Sequence, residues 1–537
     1  MTADAGEDTA TWQPSGDRDH HRRAGELTAR EFLRWMWRQL TSMRTALILL
    51  LLLALGAIPG SVIPQSGVDA LKTQNWQTAH PHLTPIYQKL SLFNVYHSPW
   101  FAAIYLLLMV SLVGCIVPRL FVYWRGYRKQ PPPAPRNLTR LPDHATYTTD
   151  EEPDAVLARA AQVLSRRNRV STSDGWVSAE RGQLREAGNL LFHLSVLVVL
   201  VGFGIGSLFG YKGGVILVVG NGFSNQLTQY DDFDPGSLFN PDKMEPFCFT
   251  VHNFSVQWID SGPKQGLARG FKAPLTYRAN CGPDRSQWSA AKEYDLRVNH
   301  PLKIGGTQVF LIGHGYAPVV TVRDGQGHKL YDGPTPFLPE SSNFLSFGVI
   351  KASGVKAGQD IGMQGLFYPT FASVRGQPIN VMGKDDNPAL SLKVYVGDLG
   401  LNDGVPQSVY ALDTGAMHQL KDKDGKAFQL EMHPGETVQL PDHQGSVTFD
   451  GVTPWTRLQI SRTPMVWLTL LGVVLALVGL LGSLFIRPRR VWVRAQRRDG
   501  TTVVELAALD RSGGGDLAPV LSSVVESLRQ GQEGTRA

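Results

Sequence analysis

The chain has 537 residues, 43% of them hydrophobic and 18% charged, and a formal net charge of +6. Its mean hydropathy of −0.11 and its pI near 9.1 resemble those of an average soluble protein of several domains. The excess of basic residues does not indicate nucleic-acid binding, because no basic patch with interleaved aromatic residues occurs in the polar segments. The average conceals a sharp division into apolar and polar segments.

Four segments are long and apolar enough to cross a bilayer as helices, which takes about 18 to 20 residues. They run approximately over residues 45–63, 100–118, 187–209 and 464–486. The first begins more than 40 residues from the start, and no small-residue cleavage pattern follows it. We therefore expect a retained anchor rather than a signal peptide, and four transmembrane helices in the mature protein.

The basic residues that flank these segments predict an orientation in the cell membrane with both termini in the cytoplasm. They are Arg34, Arg38 and Arg44 before the first, Arg119, Arg125, Arg128 and Lys129 after the second, Arg181 and Arg185 before the third, and Arg487, Arg489, Arg490 and Arg494 after the fourth. The predicted domains are a cytoplasmic tail (1–40), two transmembrane helices with a short outer loop (41–125), a cytoplasmic insert (126–185), the third helix (186–210), an extracytoplasmic β-rich domain (211–461), the fourth helix (462–487) and a cytoplasmic tail (488–537).

Along the chain, residues 1 to about 30 are polar and lack an apolar period, which predicts disorder. Pro59 and Pro64 are predicted to break the first helix at the outer interface. An amphipathic stretch over 86–95, followed by an aromatic cluster, is predicted to lie on the membrane surface. In the insert, residues 155–167 have helical apolar spacing and 170–178 are strand-like, and after the fourth segment a strand over 501–509 and a helix over 519–528 are predicted.

The long region between the third and fourth apolar segments is rich in Gly and Pro and contains short alternating runs. These cover residues 214–219, 247–258, 308–312, 319–322, 390–396, 428–432 and 446–449. The pattern predicts a mostly β domain of roughly 250 residues, as a sandwich or barrel. The fold class is thus a membrane protein with four transmembrane α-helices, a large extracytoplasmic mainly-β domain and a small cytoplasmic α+β insert.

One histidine, His193, lies inside the third apolar segment. An ionisable side chain at membrane depth is costly, so it indicates a function, and a neutral imidazole is a good ligand for iron or copper. Eight residues from Arg185, it would lie about 12 Å along the helix, in the inner half of the bilayer. The alternative is a structural role, in which His193 donates a hydrogen bond to a neighbouring helix or reaches toward the interface.

The three cysteines are Cys115 in the second apolar segment and Cys248 and Cys281 in the β-rich region. The latter two predict a disulfide that closes a loop of about 33 residues, with a redox-active dithiol or two unpaired thiols as alternatives. Cys115 is expected to be a buried, small apolar residue. The chain has no Cys-X-X-Cys-His and no phosphate-binding loop, so neither a c-type cytochrome nor an ATPase is predicted.

Several segments in order resemble the ResB (CcsB) family of System II cytochrome c biogenesis proteins. They cover residues 42–46 and 58–65, Tyr96–Phe101, Ser111–Cys115, Glu180–Gly188 followed by His193, and residues 298–302 and 313–318. The resemblance implies a subunit, rather than an enzyme on its own, that helps to export haem (haem b in transit) and to deliver it to apocytochrome c. It further implies a CcsA/ResC-type membrane partner, with a thioredoxin-like thiol reductant as a further candidate partner.

Within that resemblance, His193 is an axial ligand of the haem iron and the second ligand comes from the partner. His97, His300 and His314 are weaker candidates for a haem or apocytochrome surface, and exposed or structural histidines are their alternative. Gly202, Gly204 and Gly206 are predicted to mark the surface on which the partner docks. The competing function is a membrane receptor or assembly scaffold whose outer β domain binds a ligand or a protein.

Overall fold

The structure is a computed structural model that describes residues 28–68, 70–259, 261–263, 265–354, 359–401, 404, 407–513 and 516–533. Most of the predicted disordered tail, residues 1–27, lies outside the described residues. The chain divides into two compact units. The first contains residues up to 200 and from 470 onward, and the second, called here the β-rich unit, contains residues 201–469.

Four of the helices in the described residues are long and apolar enough to cross a membrane, as predicted. The helices of the described residues are α1 (Ala29–Leu40), α2 (Met43–Val62), α3 (Ala70–Ala79), α4 (Thr84–Lys89), α5 (Pro99–Arg128), α6 (Pro153–Ser165), α7 (Leu184–Phe209), α8 (Val466–Phe485) and α9 (Ala518–Glu533). The four long apolar helices are α2, α5, α7 and α8.

The end of α2 corrects one expectation. The helix continues through Pro59 for another turn to Val62, so the first proline does not break it. Pro59 removes only its own backbone donor, whereas Pro64 forces the preceding residue, Ile63, into an extended conformation with ψ of 136°. The helix therefore ends because of Pro64.

Small residues allow α2 to pack closely against the start of α5 and the 3₁₀ turn that precedes it. A Cβ atom added to Gly56 would lie 3.0 Å from the Trp100 ring, and one added to Gly60 would lie 2.8 Å from the Tyr96 ring. The predicted amphipathic stretch over 86–95 is divided between α4 and a short 3₁₀ turn at Leu92–His97, with Ser91 in a left-handed conformation between them. The stretch thus consists of two short pieces.

The strands of the described residues are β1 (Asp143–Thr149), β2 (Arg169–Ser173), β3 (Trp176–Arg181), β4 (Tyr211–Val218), β5 (Gly222–Ser224), β6 (Asp232–Pro235), β7 (Cys248–Val251), β8 (Ser255–Trp258), β9 (Ala268–Arg278), β10 (Lys292–Arg297), β11 (Leu302–Ile304), β12 (Thr307–Asp324), β13 (Lys329–Pro334), β14 (Leu338–Pro339), β15 (Ser346–Ala352), β16 (Asp360–Tyr368), β17 (Phe371–Val374), β18 (Gln377–Asn380), β19 (Ala389–Gly397), β20 (Met417–Gln419), β21 (Gln429–Met432), β22 (Thr437–Gln439), β23 (Gly445–Arg462), β24 (Arg489–Arg498) and β25 (Thr501–Asp510).

In the first unit, one antiparallel sheet joins two segments that are more than 300 residues apart. Its order is β1-β25-β24-β3-β2, so the hairpin after α8 lies between strands that precede α7. Residues of α6 and α9 pack on this sheet in a single apolar cluster that includes Leu164, Val177, Val493, Leu506 and Leu521. We call the sheet with α6 and α9 the sheet module. The sequence predicted both helices and the strand-like stretches over 170–178 and 501–509, but not β1, β24 or the pairing of the two segments in one sheet.

Two further contacts complete the sheet module. The proline-rich segment accepts hydrogen bonds at the Pro132 carbonyl from Ser178 Oγ at 2.7 Å and from Trp492 Nε1 at 3.3 Å. The buried carboxylate of Glu180 lies 3.0 Å from the Arg490 guanidinium and 3.4 Å from that of Arg511. Because Glu180 leads directly into α7, this ion-pair cluster fixes the base of that helix to the sheet module.

In its described residues, the β-rich unit contains three larger antiparallel sheets. Their orders are β10-β9-β7-β5, β11-β12-β23-β4-β6 and β14-β15-β16-β19-β20, with β8, β13, β21 and β22 added at their sides, and β17 pairs with β18 separately. The mainly-β prediction is confirmed. Instead of two short strands over 308–312 and 319–322, however, one strand of 18 residues, β12, spans both, and it pairs along its length with the 18-residue β23.

The two long strands contribute to both main apolar cores of the β-rich unit. Val309 and Leu458 belong to the core with β7 and β9, whereas Val322 and Phe449 belong to the core with β16 and β19. Between the cores, the buried Trp455 donates from Nε1 to the carbonyls of Tyr316 and Phe337, at 3.0 and 3.1 Å. Register shifts in this pairing, after Leu311 and after Val319, flank the central segment of β12.

Candidate functional site

His193 lies on α7 and is partly buried. Its Nδ1 is 2.7 Å from the backbone carbonyl oxygen of Asn189, one turn earlier. Because a carbonyl oxygen only accepts hydrogen bonds, Nδ1 must carry the proton, and in the neutral ring Nε2 then holds the lone pair. The helix itself therefore fixes the tautomer and leaves Nε2 as the atom that can bind a metal.

The face of α7 that packs on α8 is different from the face that carries His193. A Cβ on Gly479 would lie 2.6 Å from the Phe192 backbone nitrogen, and one on Gly472 would lie 2.7 Å from Val199. Gly188 faces the backbone of α8 in the same way, at 2.7 Å. His193 projects about 130° around the helix from this seam, because successive residues differ by about 100°. The close packing on α8 thus supports α7 on a side that does not carry His193.

A second contact reaches α7 from α5. Tyr105 Oη donates to the backbone carbonyl of Leu200, which lies seven residues, or about 10 Å, beyond His193 along α7. Seven residues make nearly two turns, so Leu200 and His193 lie on the same side of the helix. Through Tyr105, α5 therefore contacts α7 on the side that carries the His193 imidazole.

Among the described residues, no three His, Cys, Asp or Glu side chains come together as a metal-binding group. An imidazole whose Nε2 holds the lone pair can serve as a single axial ligand, because an iron porphyrin brings four nitrogens of its own.

The other predicted histidines lie in separate places. His97 is exposed just before α5, with Nδ1 3.0 Å from Asn94 Oδ1. His300 is exposed in the turn that follows β10. Within the described part of the chain, no hydrogen bond or ring contact joins any two of His97, His193, His300 and His314.

His314, on β12, has an unusual environment. Its ring contacts three phenylalanine rings, with centroid distances of 4.5 Å to Phe344, 4.9 Å to Phe254 and 5.0 Å to Phe271. Its Nε2 is buried and has no hydrogen-bond partner among the described residues. Burial lowers the pKa of His314 to about 4, so the ring is neutral at physiological pH.

Cys248 and Cys281 are joined by a disulfide, and their Cα atoms are 5.8 Å apart. The bond links β7 to the segment after β9, beside an open cavity of about 510 Å³ that is lined in part by Phe249, Arg278 and Trp288. Cys115 is only partly buried, and its Sγ donates to the Thr41 carbonyl at 2.8 Å, so the expectation of a simple buried apolar residue is wrong.

The glycine prediction for the third apolar segment also needs correction. Within the β-rich unit, a Cβ on Gly202 would lie 2.5 Å from Thr469, and one on Gly206 would lie 2.9 Å from Thr463. These two glycines therefore allow close packing inside the chain, and that surface is not free for a partner.

A family model described as the ResB-like family matches residues 43–519 of this sequence. The match includes α2, α5, α7 and α8, both strand-rich regions and His193. The chain belongs to the ResB-like family. It is accordingly a membrane protein, and its four apolar helices are membrane helices.

Curated relatives of this ResB-like chain are named cytochrome c biogenesis protein CcsB. The protein from Synechococcus sp. (strain JA-2-3B'a(2-13)) is 27% identical over 329 residues, which cover 57% of this chain and 65% of the relative. Those from Prochlorococcus marinus (strain MIT 9313) and Synechococcus sp. (strain WH7803) are 25% and 26% identical, over 56% and 64% of this chain and 65% and 74% of their own length. The match thus spans slightly less than two thirds of the first two.

Sequence reasoning missed some residues around the histidine of this ResB-like chain. The Asn189 carbonyl is a backbone group, so no side-chain pattern identifies it. The face of α8 that packs on α7 could have been recognised from the sequence, because Gly472 and Gly479 are seven residues apart and so lie on one side of the helix. The Tyr105 contact could not, since it depends on how α5 and α7 pack.

Proposed function

We propose that this chain is a subunit of the System II cytochrome c synthase, which exports haem across the membrane and delivers it for covalent attachment to apocytochrome c. Membership of the ResB-like family and the name shared by the curated relatives support the pathway. The observation that carries the chemistry is the hydrogen bond from His193 Nδ1 to the Asn189 carbonyl, which leaves Nε2 as a ligand.

In this proposal, haem is the cargo and His193 is one axial ligand during its passage. The imidazole binds the iron through Nε2, and the Asn189 carbonyl keeps the ring in the required tautomer. Close packing of Gly472 and Gly479 behind α7 resists displacement of the helix when the ligand binds. The second axial ligand comes from a CcsA/ResC-type partner.

The proposed orientation has both termini and the sheet module in the cytoplasm of the cell. Its support is the concentration of Arg and Lys at the ends of α5 and α8 and before α7. His193 then lies about 12 Å beyond Arg185, in the inner half of the bilayer, where haem leaving the cytoplasm first needs a ligand. The β-rich unit lies on the opposite side and orients the apocytochrome.

The test is co-purification of the full chain with its CcsA/ResC-type partner, followed by absorption spectroscopy of bound haem. We expect His193→Ala to reduce haem occupancy at least tenfold, since an axial ligand is lost, and exogenous imidazole to restore it. Ser195→Ala is the matched control. It lies two residues away on α7, and among the described residues its hydroxyl bonds only to its own helix, at Leu191 and Phe192.

Normal haem occupancy and a normal haem spectrum in the His193→Ala complex would refute the ligand role. The amount of mature cytochrome c in cells with that variant is then measured. It distinguishes a subunit of the cytochrome c synthase from a membrane receptor or assembly scaffold. Normal maturation contradicts the synthase proposal. A separate experiment tests the different roles proposed for His193 and for the β-rich unit. Deletion of residues 215–455 should abolish cytochrome c maturation while some haem remains bound.

A further inference from the structure

Helix α1 precedes the first membrane span and has well-defined ends. Thr28 and Glu31 form a capping box at its start, with the Glu31 carboxylate 2.9 Å from the Thr28 backbone nitrogen. The two residues Thr41 and Ser42 interrupt the helix, and α2 begins at Met43. The helix is therefore a separate element held within two residues of a membrane span.

The two faces of α1 differ sharply in chemistry. Arg30, Arg34 and Arg38 are spaced by four residues and share one side, which we call the arginine face. The side that we call the apolar face consists of Phe32, Leu33, Met36 and Leu40, and Trp37 lies at its border with the arginine face. On the apolar face, Leu33 is 58% exposed and Phe32 is 47% exposed, so these side chains have little protein around them.

The arginine face has no acidic partner within the described residues. No described carboxylate lies within ion-pair distance of Arg30, Arg34 or Arg38, and Glu31 turns back to cap the helix. A shallow groove of about 520 Å³ runs beside the three arginines and is lined otherwise by apolar side chains, including Leu33, Met36 and Trp37. The groove thus combines positive charge with apolar surface.

The end of α1 is fixed to a membrane helix. Ser111 Oγ on α5 donates to the Leu40 carbonyl at 2.6 Å, and Cys115 Sγ donates to the Thr41 carbonyl at 2.8 Å. Both donors lie on α5 before Arg119, the first charged residue of that helix. The C-terminal end of α1 is therefore held against the apolar part of α5.

We propose that α1 is a membrane-surface helix that binds anionic phospholipid headgroups through its arginine face while its apolar face enters the acyl region. Basic amphipathic helices with Trp, Phe and Leu opposite the charges bind membranes in this way, and each arginine near an anionic surface adds attraction. The occupant is a lipid because the tether to α2 and α5 keeps both faces at membrane level. This inference does not depend on the haem proposal.

The first test measures lipid selectivity on the purified full chain. Dioctanoyl phosphatidylglycerol and dioctanoyl phosphatidylcholine are titrated, and binding is followed by native mass spectrometry. We expect tighter binding of phosphatidylglycerol, and a loss of about 5-fold per arginine, on the order of 100-fold in all, in the R30Q/R34Q/R38Q variant. The control R166Q/R167Q/R498Q makes the same charge change at exposed positions of the sheet module and should bind as the wild type does.

Equal affinity of the wild-type chain for the two lipids would overturn the proposal, as would equal losses in the variant and the control. Inorganic phosphate at the same concentrations should not compete, because the site needs the acyl chains as well as the headgroup. Strong competition by phosphate would reduce the arginine face to a general anion site and would contradict the proposal.

The second test locates the apolar face. A spin label is attached at Met36→Cys in a Cys115→Ser background, where serine keeps the hydrogen-bond donor to Thr41, and the protein is reconstituted in phosphatidylglycerol vesicles. We expect the label to be more accessible to oxygen than to a water-soluble nickel chelate, unlike a label at Arg166→Cys. Full nickel access at position 36 would show that α1 leaves the membrane, and protection from both reagents would show a protein contact instead; either result refutes the proposal.

Discussion

Replacing His314 by phenylalanine is expected to make the β-rich unit less sensitive to acid. The histidine ring is stacked among Phe254, Phe271 and Phe344, and its Nε2 is buried without a partner among the described residues. Burial is the cause of its low pKa, and the ring contacts are with groups that do not titrate. Phenylalanine keeps an aromatic ring in the stack but cannot take up a proton.

The size of the effect follows from the difference between the folded and unfolded pKa. The folded value is about 4 and the ordinary value is 6.5, so the unfolded state binds a proton first as the pH falls. His314 therefore leaves the free energy of unfolding undiminished above pH 6.5 and lowers it progressively between pH 6.5 and pH 4. Below pH 4 the effect of this residue does not change further. At pH 4.5 the loss relative to pH 7 is about 2.5 kcal/mol from this residue.

The assay is amide hydrogen exchange of β12 and β23 in the full-length protein at pH 7 and pH 4.5, corrected for the intrinsic exchange rate. Carboxylates contribute to the acid response of both proteins, so the informative quantity is the difference between wild type and variant. His300→Gln, at an exposed position, is the control and should behave as the wild type does. An identical acid response in wild type and His314→Phe would refute the reasoning.

Three other changes test the packing of the chain. Glu180→Gln should destabilise the sheet module by about 2 to 3 kcal/mol, because the Arg490 guanidinium loses its buried counter-charge, and chemical denaturation would measure this. Cys248→Ala with Cys281→Ala should destabilise the β-rich unit by about 3 kcal/mol through the lost loop closure, measured as a lower melting temperature without reductant; an unchanged value would contradict it. Gly479→Ala should weaken the α7–α8 contact, since its Cβ would lie 2.6 Å from the α7 backbone, and a thermal stability in detergent equal to that of the wild type would refute this.

The membrane helices were predictable because hydropathy over about 18 residues suffices to identify them. The helix α1 was not predicted, since its 12 residues fall below that window and follow a polar tail. Its signal was the spacing of Arg30, Arg34 and Arg38, of which Arg34 and Arg38 were interpreted only as markers of orientation. Similarly, Pro59 was a poor guide to the end of α2, because one lost backbone donor near a helix end is tolerated.

The β-rich unit was predictable as a class but not in its strand pairing. Gly313, Gly315 and Pro318 interrupt the alternation within β12, and Pro454 does the same within β23. All four residues lie between the two register shifts of the β12–β23 pairing, where an irregular ladder accepts them. Pairing of distant segments depends on tertiary contacts, which a local pattern does not contain.

For the candidate site, a histidine in an apolar run was sufficient to select His193 as a candidate, because an ionisable side chain is costly in a membrane segment. Its free Nε2 depends on a backbone carbonyl, so only the structure identifies which nitrogen is available. His314 shows the converse case. Its sequence context resembles that of an ordinary strand residue, and only the three-dimensional contacts reveal its buried nitrogen.

The order of strands in the sheet module has a consequence for biosynthesis. Strands β1 and β3 are made early, yet their neighbours β25 and β24 leave the ribosome only after the last membrane helix. Until then, β1 and β3 each present an unpaired edge that invites aggregation. A chain truncated after residue 487 should keep these strand edges unpaired and be degraded. Completion of the sheet joins the start of α7 to the end of α8, because Arg181 pairs with Arg489.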